Sequence, residues 1–78
     1  MITIYVIQGC DSCRHAIALA EFKKVEHEVL TLASDSDVDQ LRTRHDFKGQ
    51  VHVPLVFNEK EYIGHIPEFK RWVDARYK

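Results

Sequence analysis

Four segments of the chain have the apolar pattern of β-strands. Residues 2–7 are apolar on both faces of an extended chain, which predicts a central strand buried on both sides. Residues 26–32 alternate more weakly and predict a shorter second strand. Residues 53–57 and 62–63 are two further apolar runs joined by turn residues 58–60, and this pattern predicts a hairpin.

Three segments between and after these strands repeat apolar residues at helical spacing. The first helix is expected to begin at Asp11 or Ser12, either of which can cap it. The second is expected over residues 37–46, with a thin apolar stripe and a solvated polar face. The third begins near Pro67, whose fixed φ suits a first helical position, and runs to about Tyr77. The three stripes are formed by Cys13, Ala16, Ile17, Leu19 and Ala20; by Val38, Leu41 and His45; and by Ile66, Phe69, Trp72 and Val73.

The predicted element order is β-α-β-α-β-β-α, which is an α/β fold. A helix that connects the first two strands requires a right-handed crossover and parallel pairing, whereas the hairpin adds antiparallel strands. We therefore expect a mixed four-stranded sheet. With 78 residues, the chain is expected to form one domain over residues 1–78, too small for a deep substrate cavity.

Composition and charge exclude several classes of protein. Eleven Lys and Arg against twelve Asp and Glu give a formal charge of -1, which lacks the positive surface of a general nucleic-acid binder. The longest uninterrupted apolar run, residues 16–20, is far shorter than the roughly 20 residues of a membrane span. Residues 1–4 lack the basic flank of a signal peptide. We therefore expect a soluble, cytoplasmic protein without nucleic-acid or membrane partners.

Cys10 and Cys13 form a Cys-x-x-Cys pair where the first helix is expected to begin. Closing so short a loop stabilises a fold by only about 2 kcal/mol, and one pair is too few for a disulfide framework. The spacing therefore favours redox chemistry. Since the amino end of a helix lowers the pKa of a thiol, Cys10 is the predicted nucleophile. Cys13 lies on the apolar stripe and is the predicted resolving thiol.

Two charged residues beside Cys10 act on its thiolate with opposite sign. Asp11 disfavours the thiolate, whereas Arg14 favours it. Our hypothesis is that Asp11 raises the pKa of Cys10 and destabilises the reduced form, which makes the pair a better reductant. The alternative is that Asp11 only caps the helix, a role worth about 1 kcal/mol.

Metal binding is disfavoured by the arrangement of the possible ligands. The chain has no second Cys-x-x-Cys and no His-x-x-x-His, so a four-ligand zinc site is not expected. A c-type haem requires a histidine directly after the second cysteine, where Arg14 stands. We expect no metal and no tightly bound cofactor. The histidines are expected at the surface; they are His15, His27, His45, His52 and His65.

Three features together carry a resemblance to a known family: Cys10 and Cys13 at the first strand-to-helix turn, Val53-Pro54 opening a late strand, and Gly64 before the last helix. Over nearly its whole length the chain resembles the glutaredoxin branch of the thioredoxin-like superfamily. The resemblance implies a three-layer fold and a cis peptide bond between Val53 and Pro54 beside the cysteines. It also implies that the backbone of Val53 binds a peptide or glutathione.

The function implied by this resemblance is that of a small, monomeric dithiol–disulfide oxidoreductase in electron transport and cell redox homeostasis. It would reduce protein or glutathione mixed disulfides, with glutathione as co-substrate. Its partners would be disulfide-containing proteins, ribonucleotide reductase among them.

The glutathione groove that the resemblance implies is altered in this chain. Many relatives have a Gly-Gly pair and acidic residues at the last helix, where this sequence has Gly64, His65 and Glu68 around Pro67. Glu68 can replace the acid, but Pro67 removes one N–H from the helix terminus. Gln50 stands where many relatives place a basic or polar glutathione contact, and an amide binds a carboxylate less strongly than arginine does. Relatives also have Pro-Tyr between the cysteines, where this chain has Asp-Ser.

Other functions stay open at this point. The chain also resembles the NrdH-redoxins, which are reduced by thioredoxin reductase and supply ribonucleotide reductase; Gly64-x-x-Pro67 is similar in that branch. From a different class, the chain fits a non-catalytic adaptor or a metal-handling module that uses the cysteines as soft ligands. Some glutaredoxin relatives also share an iron–sulfur cluster between two subunits.

Overall fold

The computed structural model describes residues 1–77 and has the element order that the sequence predicts. Within these residues the strands are β1 (Ile2–Val6), β2 (His27–Thr31), β3 (Leu55–Asn58) and β4 (Glu61–Gly64). The helices are α1 (Asp11–Phe22), α2 (Asp35–His45) and α3 (Ile66–Arg76).

The strands form one mixed sheet in the order β2-β1-β3-β4. β1 pairs in parallel with β2 and antiparallel with β3, and β3 pairs antiparallel with β4. All five residues of β1 are buried, as expected for a central strand. The predicted parallel crossover and antiparallel hairpin are both confirmed.

The helices cover both faces of the sheet and complete three layers. α1 and α3 lie on one face, where they bury Ile2, Ile4 and Val6. α2 covers the other face through Leu41, which packs in a cluster with Tyr5. The remaining buried members of the first cluster are Cys13, Ala16, Ala20, Val25, Val56, Phe69 and Val73, and those of the second are Leu55 and Phe57.

The prediction that Ile7 is a buried strand residue is wrong, since β1 ends at Val6 and the Ile7 side chain is 44% exposed. The reason lies in the neighbouring strand. β3 begins at Leu55, opposite Tyr5, because the preceding Pro54 has no N–H to donate to the sheet. The chain beyond Tyr5 therefore has no β3 partner, and Ile7 faces the surface near the end of the sheet.

The second helix begins two residues earlier than expected. The hydroxyl of Ser34 accepts a hydrogen bond from the N–H of Asp37 at 3.3 Å, so Ser34 caps α2 and Asp35 is its first residue. At the other end Asp46 adopts a left-handed conformation, φ 53°, and its N–H bonds to the carbonyl of Arg42. Local capping therefore fixes both ends of the helix.

The expectation of surface histidines is wrong for His45, whose side chain is only 3% exposed. It lies at the end of α2 with its ring stacked on Phe57, centroids 4.2 Å apart. Its Nδ1–H donates to the carbonyl of Glu59, and its Nε2 accepts from the Tyr5 hydroxyl at 2.8 Å. Because both ring nitrogens have partners, the histidine can be buried. Burial also raises the pKa of the Tyr5 phenol.

Candidate active site

The cysteine pair lies at the amino end of α1, as the sequence predicts. Cys10 is the N-cap residue and is half-buried, whereas Cys13 lies in the first turn and is 2% exposed. The two sulfur atoms form a disulfide, with the Cα atoms 5.3 Å apart. The expected shielding of Cys13 is confirmed. Cys10 is the more accessible of the two cysteines, as the predicted roles of nucleophile for Cys10 and resolving thiol for Cys13 require.

The cap of α1 is a sulfur atom. Sγ of Cys10 accepts a hydrogen bond from the backbone N–H of Cys13 at 3.1 Å, so the prediction that Asp11 or Ser12 caps this helix is wrong. Gly9 has φ 74°, a left-handed value that suits glycine, and after this turn Cys10 is extended. The turn therefore places the cysteine one position before the residues expected to cap.

This position has a direct chemical consequence. The first N–H groups of a helix have no partner within the helix, and the helix dipole adds positive potential at the same end. A Cys10 thiolate is therefore stabilised where it forms. Asp11 and Arg14 both lie exposed on the first turn of α1, and their effect on Cys10 stays a prediction.

The peptide bond between Val53 and Pro54 is cis, which confirms the expectation from the resemblance. Val53 and Cys10 both pack against the core cluster that contains Cys13. Within residues 1–77, neither the N–H nor the C=O of Val53 takes part in a hydrogen bond. This backbone segment is thus free to pair with another chain.

A shallow depression, here called the α3 groove, lies between the cis proline and the start of α3. It encloses about 330 Å³. The structure brings three predicted site residues together here, Val53, Pro54 and His65. The remaining lining residues were not predicted as site residues; they are Ser12, His52, Ile66 and Pro67. Ser12 lies between the cysteines and His52 directly precedes Val53, so adjacency in the sequence was a usable signal for both.

His65 and Glu68 close the amino end of α3. The side chain of Glu68 accepts a hydrogen bond from the backbone N–H of His65 at 2.9 Å, which holds the pKa of its carboxyl below the ordinary value. Gly64, with φ 128°, makes room for this arrangement, since a Cβ atom there would lie 2.8 Å from Cβ of Glu68. The ring of His65 bonds to the carbonyl of Pro54 at 2.7 Å. Glu68 therefore bonds to the chain itself, and Pro67 contributes no N–H at this end.

Gln50 is placed outside the α3 groove. Its side chain is exposed, and its Oε1 accepts a hydrogen bond from Nε2 of His52 at 2.9 Å. The rings of His52 and His65 approach to 6.1 Å between centroids. Since none of the residues lining the groove is Lys, Arg, Asp or Glu, the groove has no permanently charged side chain on its walls.

Within residues 1–77, no group of three or more His, Cys, Asp or Glu side chains is placed to hold a metal ion. In the same part of the chain, every helix is too short or too polar to cross a bilayer.

Comparison with known proteins identifies the fold. No protein-family model and no curated protein sequence matches the chain. Among solved structures, glutaredoxin 1 from Francisella tularensis, complexed with cacodylate, superposes with a TM-score of 0.73 and 20% sequence identity. The match covers 95% of this chain and 92% of that one. The chain therefore has the glutaredoxin-type, thioredoxin-like fold that its cysteine pair and its Val53-Pro54 sequence predict.

Proposed function

We propose that this protein is a thiol–disulfide oxidoreductase in which Cys10 is the nucleophile and Cys13 the resolving thiol. The observation that carries the proposal is the position of the Cys10 sulfur at the amino end of α1, 3.1 Å from the N–H of Cys13. A donor N–H and the helix dipole favour thiolate at this one position, and Cys13 lies within disulfide reach.

The reaction transfers two electrons through a mixed disulfide. The Cys10 thiolate attacks one sulfur of the substrate disulfide, and the other sulfur leaves as a thiolate that takes a proton from water. Cys13 then loses its thiol proton and attacks Sγ of Cys10 as the thiolate, and the second substrate sulfur leaves as a thiolate that takes up a proton. The protein is left with the Cys10–Cys13 disulfide, which an external dithiol or a pair of monothiols must reduce.

The roles of the two cysteines are tested by single replacements. Cys13→Ser should accumulate a mixed disulfide with a model substrate, detected as a mass increase that dithiothreitol removes. Cys10→Ser should form no such adduct and should lose exchange, because its remaining thiol is buried. An adduct on Cys10→Ser and none on Cys13→Ser would reverse the assignment.

Glutathione is the electron donor that the resemblance implies. The α3 groove is open beside the cysteines, and the free backbone of Val53 is suited to pairing with the donor's peptide. A disulfide-containing protein, ribonucleotide reductase among the candidates, would then be the acceptor.

Two observations favour the second candidate, an NrdH-type redoxin reduced by thioredoxin reductase. Glu68 already bonds to the His65 N–H at the start of α3, and Pro67 supplies no donor there. Gln50 bonds to His52 and brings no positive charge to the groove. A free ligand carboxylate thus finds few donors at this helix end.

The two candidates separate in one assay of disulfide reduction driven by NADPH. One arm contains glutathione and glutathione reductase, and the other contains thioredoxin reductase alone; Cys10→Ser is the blank in both. Turnover only with glutathione supports the first candidate, and turnover only with thioredoxin reductase supports the second. Inactivity in both arms would favour the adaptor or metal-handling alternatives.

A further inference from the structure

We propose that a second groove beside the cysteine pair selects polypeptide disulfides in which an apolar and a basic residue flank the reacting cysteine. The inference rests on the proposed oxidoreductase function and names its substrate class. The groove, here called the α2 groove, lies between the end of β1 and the start of α2 and encloses about 440 Å³. Its lining is formed by Ile7, Leu32, Ala33, Ser34, Asp35, Val38, Val51 and Val53.

The α2 groove adjoins the α3 groove at one residue. Val53, which directly precedes the cis proline, lines both grooves, and Ser12 between the two cysteines lines the α3 groove. Ile7 precedes Cys10 by three residues on the loop that leads into α1. A substrate chain that reaches Cys10 can therefore place neighbouring residues in the α2 groove.

The walls of the α2 groove are mainly aliphatic. Ile7 is 44% exposed, and Leu32, Val38 and Val51 are half-buried. Ile7 follows an apolar strand but lies beyond the end of its β3 partner, so the fold leaves it uncovered. Apolar surface collected in a groove next to a reactive group is typical of a binding site. An aliphatic side chain is the complementary occupant.

The charge at the rim of the groove is negative. Asp35 is the one ionisable side chain among the lining residues, and within residues 1–77 it makes neither an ion pair nor a side-chain hydrogen bond. Its neighbour Asp37, by contrast, accepts a hydrogen bond from the N–H of Ala33 at 2.8 Å. An exposed carboxylate without a partner attracts a basic residue and repels an acidic one. Glutathione, which carries two carboxylates, is disfavoured at this rim.

The occupant is a polypeptide in extended conformation. The N–H and C=O of Val53 are free of hydrogen bonds in the described residues, and an extended chain pairs with such a segment through its own backbone. Successive side chains of an extended chain point to opposite sides. A residue beside the substrate cysteine can thus enter the α2 groove while the cysteine reaches Cys10.

The test compares three synthetic peptides whose single cysteine is blocked by thionitrobenzoate, which leaves readily and is coloured. The first carries Leu and Arg beside the cysteine, the second Ser and Arg, and the third Leu and Glu. Reduced wild-type protein should react about tenfold more slowly with the Ser peptide than with the first, because less apolar surface is buried. It should react about threefold more slowly with the Glu peptide at low ionic strength, and salt should shrink this second ratio.

Two variants assign the preferences to the groove. Ile7→Ser should lower the Leu-over-Ser ratio toward one, and Asp35→Lys should reverse the Arg-over-Glu ratio. Val29→Ser is the matched apolar control, since Val29 is 38% exposed on the edge strand β2 and lies outside the groove. Glu21→Lys is the matched charge control, because Glu21 is exposed near the far end of α1. Both controls should keep both ratios.

A small neutral substrate, hydroxyethyl disulfide, distinguishes failure of the proposed selectivity from failure of the proposed oxidoreductase function. If wild-type protein reduces it and yet reacts equally with the three peptides, the selectivity proposal is overturned and the oxidoreductase function stands. Peptide ratios that change equally in the controls and in the groove variants would also overturn it. If wild-type protein does not react with hydroxyethyl disulfide or any peptide, both proposals fall.

Discussion

The amino ends of α1 and α3 each have a backbone N–H bonded to a side chain, but the two side chains differ. Each helix begins after a glycine with positive φ, and each bonds a side chain to a backbone N–H of its first turn or cap. At α1 the acceptor is the sulfur of Cys10, whereas at α3 it is the carboxylate of Glu68. The proposed nucleophile therefore lies at the amino end of α1, where the N–H of Cys13 faces its sulfur. At the amino end of α3 the corresponding N–H, that of His65, is already bonded to Glu68.

The largest expected effect is on the free energy of unfolding when Gly64 or Gly9 is replaced by alanine. Gly64→Ala should lower the free energy of unfolding by about 2–4 kcal/mol, because φ 128° is strained for alanine and the new Cβ would overlap Glu68. Gly9→Ala is the matched control: its φ is also positive, at 74°, but no atom lies within 4 Å of the added Cβ. It should cost only about 1 kcal/mol. Urea denaturation measures both values. Equal costs would mean that Glu68 does not pack over Gly64 in solution.

Removal of the Glu68 carboxylate should free the backbone N–H of His65 at the amino end of α3. Glu68→Ala is expected to lower the free energy of unfolding, but by less than Gly64→Ala does, because a side chain that caps the helix is lost. In the glutathione arm of the reduction assay it should also lower the KM for glutathione, since the His65 N–H becomes available to a ligand carboxylate.

Glu61→Ala is the control for this change, because the side chain of Glu61 is exposed and makes no hydrogen bond or ion pair within residues 1–77. It should change the free energy of unfolding by no more than a few tenths of a kcal/mol. It should leave the KM for glutathione unchanged. An unchanged KM for glutathione in Glu68→Ala would show that the hydrogen bond between Glu68 and the His65 N–H does not limit glutathione binding.

The negative charge of Asp11 at the amino end of α1 should lower the reduction potential of the cysteine pair. Asp11→Ala should raise the reduction potential of the cysteine pair by about 10–20 mV, because removal of a negative charge stabilises the Cys10 thiolate and so the reduced form. Equilibration with a glutathione redox buffer measures the potential, and Asp39→Ala, an exposed acid on α2, is the control. An unchanged or lower potential would refute the role of Asp11.

The smallest expected effect is the pH dependence that Glu68 contributes to stability at the amino end of α3. The hydrogen bond from His65 lowers the pKa of Glu68 in the folded state below its ordinary value of 4.5. Its contribution to stability is therefore present above pH 4.5 and is lost as the pH falls through the folded-state pKa. The stability difference between wild type and Glu68→Gln should narrow as the pH is lowered below 4.5 in thermal denaturation. A difference that does not change with pH would exclude the charged hydrogen bond.

Part of the candidate site was predictable because its signals are local in sequence. Two thiols spaced Cys-x-x-Cys after an apolar strand predict a reactive pair at a helix start, and burial of Cys13 follows from its place on the apolar stripe of α1. The Val53-Pro54 pair predicted the cis bond only through the family resemblance. Ser12 and His52 were missed although each adjoins a predicted site residue, because adjacency does not show that they share one groove with His65.

The cap of α1 shows where such prediction ends. Asp11 and Ser12 are statistically good caps, yet Cys10 takes this position because the turn at Gly9 starts the helix one residue earlier. Propensity ranks residue types, whereas the backbone path into the helix decides which residue is placed to cap. The same limit applies to α2, which begins at Asp35 because Ser34 is in position to bond Asp37.

The sequence by itself determined the order of strands and helices, the mixed sheet and the position of the cysteine pair, because side-chain periodicity and turn residues act over a few neighbouring residues. Only the tertiary structure decided that Ile7 is uncovered, that His45 is buried and that Glu68 closes the start of α3. Each of these depends on where a distant partner ends or lies: β3 for Ile7, Tyr5 and the Glu59 carbonyl for His45. For Glu68 the deciding factor is the turn at Gly64, which places the His65 N–H against its side chain. Local pattern assigns a residue to a face of its element, but the packing of the other elements decides whether that face is covered.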